Sequence, residues 1–340
     1  MHSQSHGSDD ILDVIIIGAG PAGLSVGIEA ANAGLSYEIV ERGALVNSIV
    51  RYPANMTFFS TPELLAIGNV PFTTPHHNPT RLEGLTYYRN VAEYYNLRIS
   101  LREEVVSIGH NGPNVNVQTS KRTLTGRNVV VATGYFDNPN HLDIPGEDFP
   151  NVSHYYSESA PFYSRIVTVI GSQNSAVEAA LDLYQAKAQV TMIMRAPKFG
   201  ESVKYWLKPN IENRVKAGSI RALFETEVLA IEPNRLQLRN NRTKEIFYIE
   251  SDFLFALTGY HPDVSFLKKL GINVDSNTLI PEYHPDTFET NVSGIFIAGS
   301  VACGCETGTI FIENGRLHAY TIVGVIKRRL AERVKSRIIE

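Results

Sequence analysis

Hydrophobic and polar positions follow the same order near the start of the chain as they do near its middle. Residues 13–17 are apolar after the first position and lead into glycine, which predicts a parallel strand buried on both faces. Small and apolar residues then recur at helical spacing over residues 21–33, and Gly34 supplies the stop. Residues 37–40 predict a second strand. Strand, glycine turn, helix and strand together make a βαβ unit.

A second βαβ pattern begins at residue 166. Residues 166–170 predict a strand, 175–187 a helix and 189–194 another strand. This internal repeat predicts an α/β fold with two Rossmann-like dinucleotide-binding domains of the three-layer ββα type. A strand of the first kind recurs only at residues 294–298, so the second domain is expected to be inserted into the first. The predicted bounds are 1–158 and 252–340 for the discontinuous first domain, and 159–251 for the inserted second domain.

The segments outside these two βαβ units predict a mixture of helices, short strands and one long loop. Helices are predicted at residues 85–95 and 205–216, and short strands within 99–119 and 219–250 and at 128–132 and 253–257. Residues 51–79 read as a long structured loop, a kind of segment that is often functional. A single helix is expected over residues 309–340, with a solvated basic face at Lys327, Arg328 and Arg329.

Composition narrows the class of protein. The chain has 340 residues, of which 43% are hydrophobic and 19% charged, an ordinary globular balance for two domains. The net charge of −4 gives no reason to expect a nucleic-acid partner. Residues 1–10 are polar, unlike a secretory signal, and no apolar run approaches the roughly 20 residues that span a bilayer. With only two cysteines, the chain is expected to be cytoplasmic and not membrane-bound.

The first glycine turn has the full dinucleotide fingerprint. Its sequence is Gly18-Ala19-Gly20-Pro21-Ala22-Gly23, placed between a strand and a helix. The three glycines permit the tight turn, the approach of backbone to a pyrophosphate and the packing of the helix on the sheet. Glu41 ends the next strand 23 residues after Gly18, where an acid accepts hydrogen bonds from a ribose diol. This fingerprint alone does not separate FAD from NAD.

The second turn departs from the fingerprint. Its sequence is Gly171-Ser172-Gln173-Asn174-Ser175-Ala176, in which Gln173 replaces the middle glycine. Arg195 lies 24 residues after Gly171, at the position where an NAD site favours an acid. A cation there suits the 2′-phosphate of NADPH. Lys198 and Lys204 are candidates to assist, although an exposed basic loop explains these lysines equally well.

Taken together, these features resemble the thioredoxin-reductase-like flavoproteins, and within them the bacillithiol-disulfide reductase branch. The resemblance rests on the two βαβ units, on Thr133-Gly134 and Thr258-Gly259 at the domain crossovers, and on five segments spread over nearly the whole chain. These segments are 46–49, 52–53, 56–63, 171–176 and 311–316.

The resemblance implies a discontinuous FAD-binding domain (residues 1–158 and 252–340) around an inserted NADPH-binding domain (159–251), and a homodimer or larger assembly. It also implies further cofactor contacts. Those toward FAD are Arg42, Asn47, Ser48, Thr57, Phe59, Ser60, Val106, Ala132, Thr133, Gly134, Gly299, Ser300, Ile310 and Phe311, and the one toward NADPH is Gly259. Ser300 stands where such flavoproteins usually carry an aspartate that bonds the ribityl chain.

Two departures concern the redox-active thiols. Thioredoxin reductases carry C-x-x-C in the nicotinamide domain, and this chain has none. The bacillithiol branch instead places a reactive cysteine in the FAD fingerprint, at the position that Ala22 occupies here. Ala22 cannot form a mixed disulfide, so that mechanism does not carry over to this chain.

Cys303-Gly304-Cys305 is the alternative thiol pair. It follows the strand predicted beside the flavin, and a nearby helix N-terminus is expected to lower a thiol pKa. One hypothesis is a relocated dithiol that passes flavin electrons onward; the other is two inert thiols in a glycine-rich turn. The histidines, among them His141 and His154, show no metal-binding spacing, and no metal is predicted.

The predicted function is transfer of hydride from NADPH to the flavin, and of the electrons onward to a disulfide. The acceptor is either a small-molecule thiol disulfide or a small thioredoxin-like redox protein. A ferredoxin or flavodoxin NADP reductase, a flavin monooxygenase and a non-catalytic FAD redox sensor remain alternatives. Against the monooxygenase, residues 149–154 lack the glycine of F-x-G-x-x-x-H and are one residue short of that motif.

Overall fold

The computed structural model describes residues 11–339, with side chains of the last helix described as far as residue 333. They form two compact units. Unit 1 takes in the described parts of Met1–Arg51, Thr57–Asn138 and Tyr260–Glu340, and unit 2 comprises Tyr52–Met56 and Pro139–Gly259. No helix among residues 11–339 is long and apolar enough to cross a membrane.

Unit 1 opens with the first βαβ unit and continues into an antiparallel sheet. Its elements up to residue 131 are β1 (Val14–Ile17), α1 (Pro21–Asn32), β2 (Tyr37–Glu41), α2 (Asn47–Val50), α3 (Pro62–Leu65), α4 (Arg81–Tyr94), β3 (Ile99–Leu101), β4 (Val105–Asn111), β5 (Asn114–Thr119), β6 (Thr123–Gly126) and β7 (Val129–Val131). The strands β4, β5 and β6 pair antiparallel. Helix α4 begins four residues before its predicted start because Thr80 and Glu83 form a capping box.

Unit 2 repeats this plan. Its elements are β8 (Val152–Ser153), β9 (Ile166–Ile170), α5 (Asn174–Gln185), β10 (Gln189–Ile193), α6 (Lys208–Lys216), β11 (Arg221–Leu223), β12 (Thr226–Glu232), β13 (Arg235–Asn240), β14 (Ile246–Glu250) and β15 (Phe253–Ala256). A parallel sheet has the order β11-β10-β9-β15-β8, and β12, β13 and β14 form a second, antiparallel sheet.

The chain then returns to unit 1 and completes its parallel sheet. The elements are α7 (Val264–Lys269), β16 (Ile295–Ile297), a 3-10 helix at Gly299–Cys303, α8 (Ile312–Gly315) and α9 (His318–Ile339). The sheet order is β16-β7-β1-β2-β3, and every pair in it is parallel. These two similar halves confirm the predicted α/β class with two Rossmann-like domains.

The prediction of a single helix over residues 309–340 is wrong. The helical segment starts at residue 312 and is broken between α8 and α9. Asn314 bonds the backbone on both sides of residue 310, accepting from Phe311 N at 2.8 Å and donating to Thr309 O at 2.8 Å. Arg316 donates to the carbonyl of Ala66 instead of facing solvent. These side-chain bonds compete with a continuous helical ladder.

The prediction of a solvated basic face on the last helix is wrong for one of its three residues. Arg329 forms a bidentate pair with Glu289, at 2.5 and 2.6 Å, whereas Lys327 and Arg328 are exposed.

The units divide at different residues from those expected. Residues 139–158 and 252–259 belong to unit 2. One reason is that β8 pairs in parallel with β15, which ties residues 152 and 153 to the second sheet. Another is Asn140, which donates through its backbone to Gly259 O at 3.0 Å and through its side chain to Thr258 O at 3.1 Å.

Candidate functional site

The turn between β1 and α1 has the geometry of a phosphate-binding loop. Gly18 has φ +105°, and a Cβ there would lie 2.6 Å from the carbonyl oxygen of Ala132. A Cβ on Gly23 would meet the carbonyl oxygen of Gly18 at 1.9 Å, whereas Gly20 faces open space. Gly20 is the N-cap of α1 and Pro21 opens the helix, and no side chain caps it. The first N–H groups of α1 are therefore available to an anion.

Glu41 lies beside this turn at the end of β2. Its Oε2 accepts the N–H of Ala19 at 2.8 Å, and its Oε1 accepts that of Gly43 at 2.7 Å. The side chain is buried, so these bonds fix the carboxylate against the fingerprint loop. The carboxylate retains acceptor capacity for a ribose diol.

The segment after β2 is fastened to the same turn. Val46, in the left-handed region with φ 47°, donates its N–H to Ala19 O at 3.0 Å. Asn47 packs against Gly43, where a Cβ would lie 2.6 Å from the Asn47 Cγ. Ser48 is half-buried in α2. Arg42 pairs with Asp137 at 2.6 Å, and Asp137 also pairs with Arg51.

Residues 57–61 meet helix α8. Ser60 donates through Oγ to Glu313 Oε2 at 2.9 Å. Phe59 and Phe311 are 58% and 48% exposed, unusual fractions for phenylalanine that leave both rings able to contact a flat ligand. Glu313 was not singled out by sequence, because nothing in the chain near residue 313 signals a partner at residue 60.

The 3-10 helix after β16 packs on the first turn of α1. Gly299 has φ +73°, and a Cβ on it would lie 2.6 Å from the Cβ of Ala22. Gly299 donates its N–H to Nδ1 of His318 at 3.2 Å. Burial lowers the pKa of His318 to about 4, so the ring is neutral and Nδ1 can accept. Sequence reasoning missed this role of His318.

The other residues expected near the flavin lie in the same unit. Ala132 is buried, while Thr133 and Gly134 are half-buried after β7. A Cβ on Gly134 would lie 3.4 Å from the Oγ of Ser300. Ile310 is half-buried, Thr57 forms an antiparallel bridge with Thr80, and Val106 is 55% exposed on β4.

The two cysteines have unequal environments. Cys303 is buried and Cys305 is exposed, and both are free thiols. Cys303 Sγ lies 2.9 Å from the carbonyl oxygen of Ser300. Burial raises the pKa of Cys303 to about 11, so the expectation of a lowered pKa is wrong for this thiol. Loss of hydration outweighs any favourable dipole.

In the second glycine turn, side chains of the turn form hydrogen bonds with the neighbouring loop. Gly171 has φ +138°, and a Cβ there would lie 2.5 Å from the carbonyl oxygen of Leu257 and 2.8 Å from the Cβ of Ala176. Gln173 accepts a hydrogen bond from Ser202 Oγ at 2.7 Å. Asn174 donates to Ser202 O at 3.0 Å. Gln173 thus binds the loop at residues 200–202, while Ser175 is exposed on α5.

The three basic candidates of this turn differ in availability, and Lys198 is exposed and forms an ion pair with Glu201 at 2.7 Å. Arg195 is exposed just after β10 and forms no ion pair or hydrogen bond with the rest of the described chain. Lys204 is buried, forms an ion pair with Glu178 and lies 5.6 Å from the ring centre of Trp206. Its charge is therefore already compensated within unit 2.

Known proteins share this arrangement. A family profile described as pyridine nucleotide-disulphide oxidoreductase matches residues 15–299. Bacilliredoxin reductase Bdr of Bacillus subtilis is 43% identical over 93% of this chain and 97% of its own length.

Two solved structures of bacillithiol disulfide reductase Bdr are also similar. The protein from Bacillus cereus is 41% identical with a TM-score of 0.92, covering 94% of this chain and 100% of the other. The protein from Staphylococcus aureus is 37% identical with a TM-score of 0.91, covering 94% and 99%. The matching family implies a flavin and a nicotinamide cofactor. The chain belongs to the pyridine nucleotide-disulphide oxidoreductase family.

Proposed function

We propose that this chain holds FAD in unit 1, takes hydride from NADPH bound in unit 2, and reduces a disulfide. The observation that carries the cofactor assignment is the contrast between two strand ends. Glu41 is a buried acid fixed beside the first turn, and Arg195 is an exposed cation beside the second. An acid suits a ribose diol, and a guanidinium suits a 2′-phosphate.

The residues of unit 1 fit FAD along its length. The uncapped start of α1 receives the pyrophosphate, and Glu41 accepts from the ribose of the adenosine. Ser300 offers a hydroxyl toward the ribityl chain, and the exposed rings of Phe59 and Phe311 offer flat apolar surface. FAD, when bound, accepts hydride and releases an electron pair; the protein supplies orientation and electrostatics.

The acceptor is a disulfide, either of a low-molecular-weight thiol or of a small thioredoxin-like protein. The reaction balances as NADPH, one proton and one disulfide giving NADP⁺ and two thiols. Support comes from the relatives, which reduce bacilliredoxin or bacillithiol disulfide by their names. The family also makes the three alternatives less favourable, namely the ferredoxin or flavodoxin reductase, the monooxygenase and the redox sensor.

Cys303 and Cys305 are the proposed thiol relay. Cys305 is exposed and is the member that an external disulfide can reach, whereas Cys303 is buried. In this scheme the thiolate of Cys305 attacks the disulfide and releases one thiol. Cys303 then resolves the mixed disulfide, releasing the second thiol and leaving a Cys303–Cys305 disulfide, for which a bound, reduced FAD would supply the electron pair.

The deciding experiment is anaerobic reduction of the purified yellow protein, followed by an acceptor panel. NADPH should bleach the flavin faster than NADH does. The reduced protein should then be reoxidised by bacillithiol disulfide or a bacilliredoxin. Reoxidation by ferredoxin alone, or oxygen consumption coupled to hydroxylation, would replace the disulfide assignment with an alternative. Failure of both nicotinamides to bleach the flavin would overturn the proposal.

We further propose a cytoplasmic homodimer or larger homo-oligomer. The two free thiols fit a reducing compartment. Light scattering during size-exclusion chromatography gives the mass directly, and a mass near 37.7 kDa would contradict the dimer.

A further inference from the structure

Three donor side chains from one stretch of 14 residues meet in unit 2. They are His141, Glu147 and His154, and one atom of each lies within 4.8 Å of the other two. Nδ1 of His141 lies 3.4 Å from Glu147 Oε1, and Nε2 of His154 lies 3.2 Å from the same oxygen. The sequence spacing of these residues gives no sign of this, because a turn at residues 145–148 brings Glu147 back to the two rings, which pack edge to face with 4.8 Å between their centroids.

Glu147 is a nearly buried carboxylate without a lysine or arginine partner. Its side chain is 9% exposed, and its ion pairs with described residues are to the two histidines alone. Burial opposes its charge, but the N–H groups of Leu142 and Asp143, at 2.6 and 2.8 Å, hold the pKa of this carboxyl below its usual range. A buried charge needs a counter-charge or a metal ion.

Burial lowers the pKa of His154, against the pull of Glu147 and Asp148. No lysine or arginine is among the main causes of the pKa shift of Glu147 or of His154. Histidine binds a metal ion through a ring nitrogen that carries no proton.

Two of the three distances between the donor atoms match those of a tetrahedral site. Ligands about 2.0–2.1 Å from zinc at tetrahedral angles are about 3.3 Å apart. The distances from Glu147 Oε1 to the nitrogens of His154 and His141 are 3.2 and 3.4 Å, and the distance between the two histidine nitrogens is at most 4.8 Å. His141 has 59% of its side chain exposed and can rotate to close that gap.

The backbone around these donors is held in place. Asn140, before His141, bonds residues 258 and 259. Pro145 accepts the N–H of Ile231 at 2.8 Å, and Gly146 packs so closely that a Cβ would lie 2.0 Å from Ile231 O. Metal sites require donors fixed in this manner.

We propose that His141, Glu147 and His154 form a binding site for a Zn²⁺-like divalent ion, with one coordination position open. Two imidazoles and one carboxylate are a donor set that zinc uses with three protein ligands. The site lies at the carboxyl edge of the parallel sheet, directly after β8. Gly171 follows β9 two strands away, about 10 Å at ordinary strand spacing. The inference does not depend on the proposed function.

The test is zinc binding to the full-length flavoprotein after chelator treatment and removal of the chelator. Titration calorimetry should give one zinc per chain at this site, and crystals soaked in zinc should show anomalous density between the three residues. Zinc should also raise the Tm of the protein, because it binds the folded state alone. Mg²⁺, which prefers oxygen ligands, should do neither.

Variants distinguish zinc binding at this site from zinc binding at other histidines. His141→Ala removes the exposed donor without creating a buried cavity, and should weaken zinc binding at least about tenfold and abolish the rise in Tm. His110→Ala on β4, and a His2→Ala/His6→Ala variant, should bind zinc at this site as the parent does. Unchanged binding in His141→Ala, loss in His2→Ala/His6→Ala alone, or no binding by the parent would overturn the proposal.

Discussion

Ala22 and Gly299 lie so close that position 299 has no space for a methyl group. The Cβ of Ala22 is 2.6 Å from the place that a Cβ on Gly299 would occupy. Gly299 also has φ +73°, a conformation that side-chain-bearing residues rarely adopt. The first turn of α1 and the 3-10 helix after β16 are therefore held at a distance that only glycine permits.

We accordingly expect Gly299→Ala to lower the free energy of unfolding by about 1–3 kcal/mol, and to lower the flavin content of the purified protein. The matched control is Gly324→Ala. Gly324 lies within α9 with nothing within 4 Å of its Cβ position, so alanine should stabilise that helix by up to about 1 kcal/mol. Thermal unfolding with flavin absorbance measures both effects. Equal behaviour of the two variants would contradict the packing described.

Glu41→Gln should weaken flavin binding about tenfold or more. The amide has one acceptor oxygen where the carboxylate has two, so the N–H of Ala19 or of Gly43 loses its partner. An unsatisfied buried donor costs about 1–3 kcal/mol. Equilibrium dialysis of the flavin measures the change. Glu104→Gln, at an exposed glutamate of the same unit, should have no effect, and a similar loss there would point to a general charge effect.

Arg195→Gln should lower kcat/KM for NADPH about tenfold to a hundredfold, and leave that for NADH nearly unchanged. The physical reason is loss of a charged hydrogen bond to the 2′-phosphate, worth about 1.5–3 kcal/mol. Arg221→Gln, at an exposed arginine of β11, is the control. Equal losses with both nucleotides would show that Arg195 acts on folding or on a shared part of the cofactor.

Alkylation should distinguish the two cysteines. Cys305 is exposed and should react with iodoacetamide at neutral pH, whereas Cys303, 2% exposed and with a pKa raised to about 11, should react only after unfolding. Peptide mass spectrometry assigns the label. Under the relay proposal, Cys305→Ser should abolish most disulfide turnover yet leave flavin reduction by NADPH intact. Unchanged turnover in Cys303→Ser and in Cys305→Ser would end the relay proposal.

Glu83 should make the stability of unit 1 sensitive to acid. Burial alone would raise its pKa, but bonds from Thr74, Thr80 and His76 lower it from 4.5 to about 2. Because the folded-state pKa is lowered, the stabilisation is present above about pH 4.5 and is lost as the pH falls toward 2. Glu83→Gln should therefore lower the free energy of unfolding by about 1 kcal/mol near neutral pH and by less near pH 2. A pH-independent difference in chemical denaturation would contradict this.

The two βαβ units could be predicted closely from sequence. β9 has its predicted bounds, and β1, α1 and β2 differ from theirs by one residue at an end. These elements follow from apolar periodicity and glycine spacing, which are properties of neighbouring residues. The end of the chain was harder, because the break before α9 depends on Asn314 and Arg316 bonding to residues outside the helix.

The residues of the candidate site also divide into those that the sequence predicts and those that only the tertiary structure brings together. The sequence by itself determined the first glycine turn, the acid at Glu41 and the cation at Arg195, since each follows from its distance along the chain from a strand and a turn. Tertiary structure alone decided that Cys303 is buried, that Lys204 is neutralised by Glu178, and that His141, Glu147 and His154 share one place. Burial and pairing depend on segments that meet only after the sheets have formed, and no local pattern in the chain carries that information.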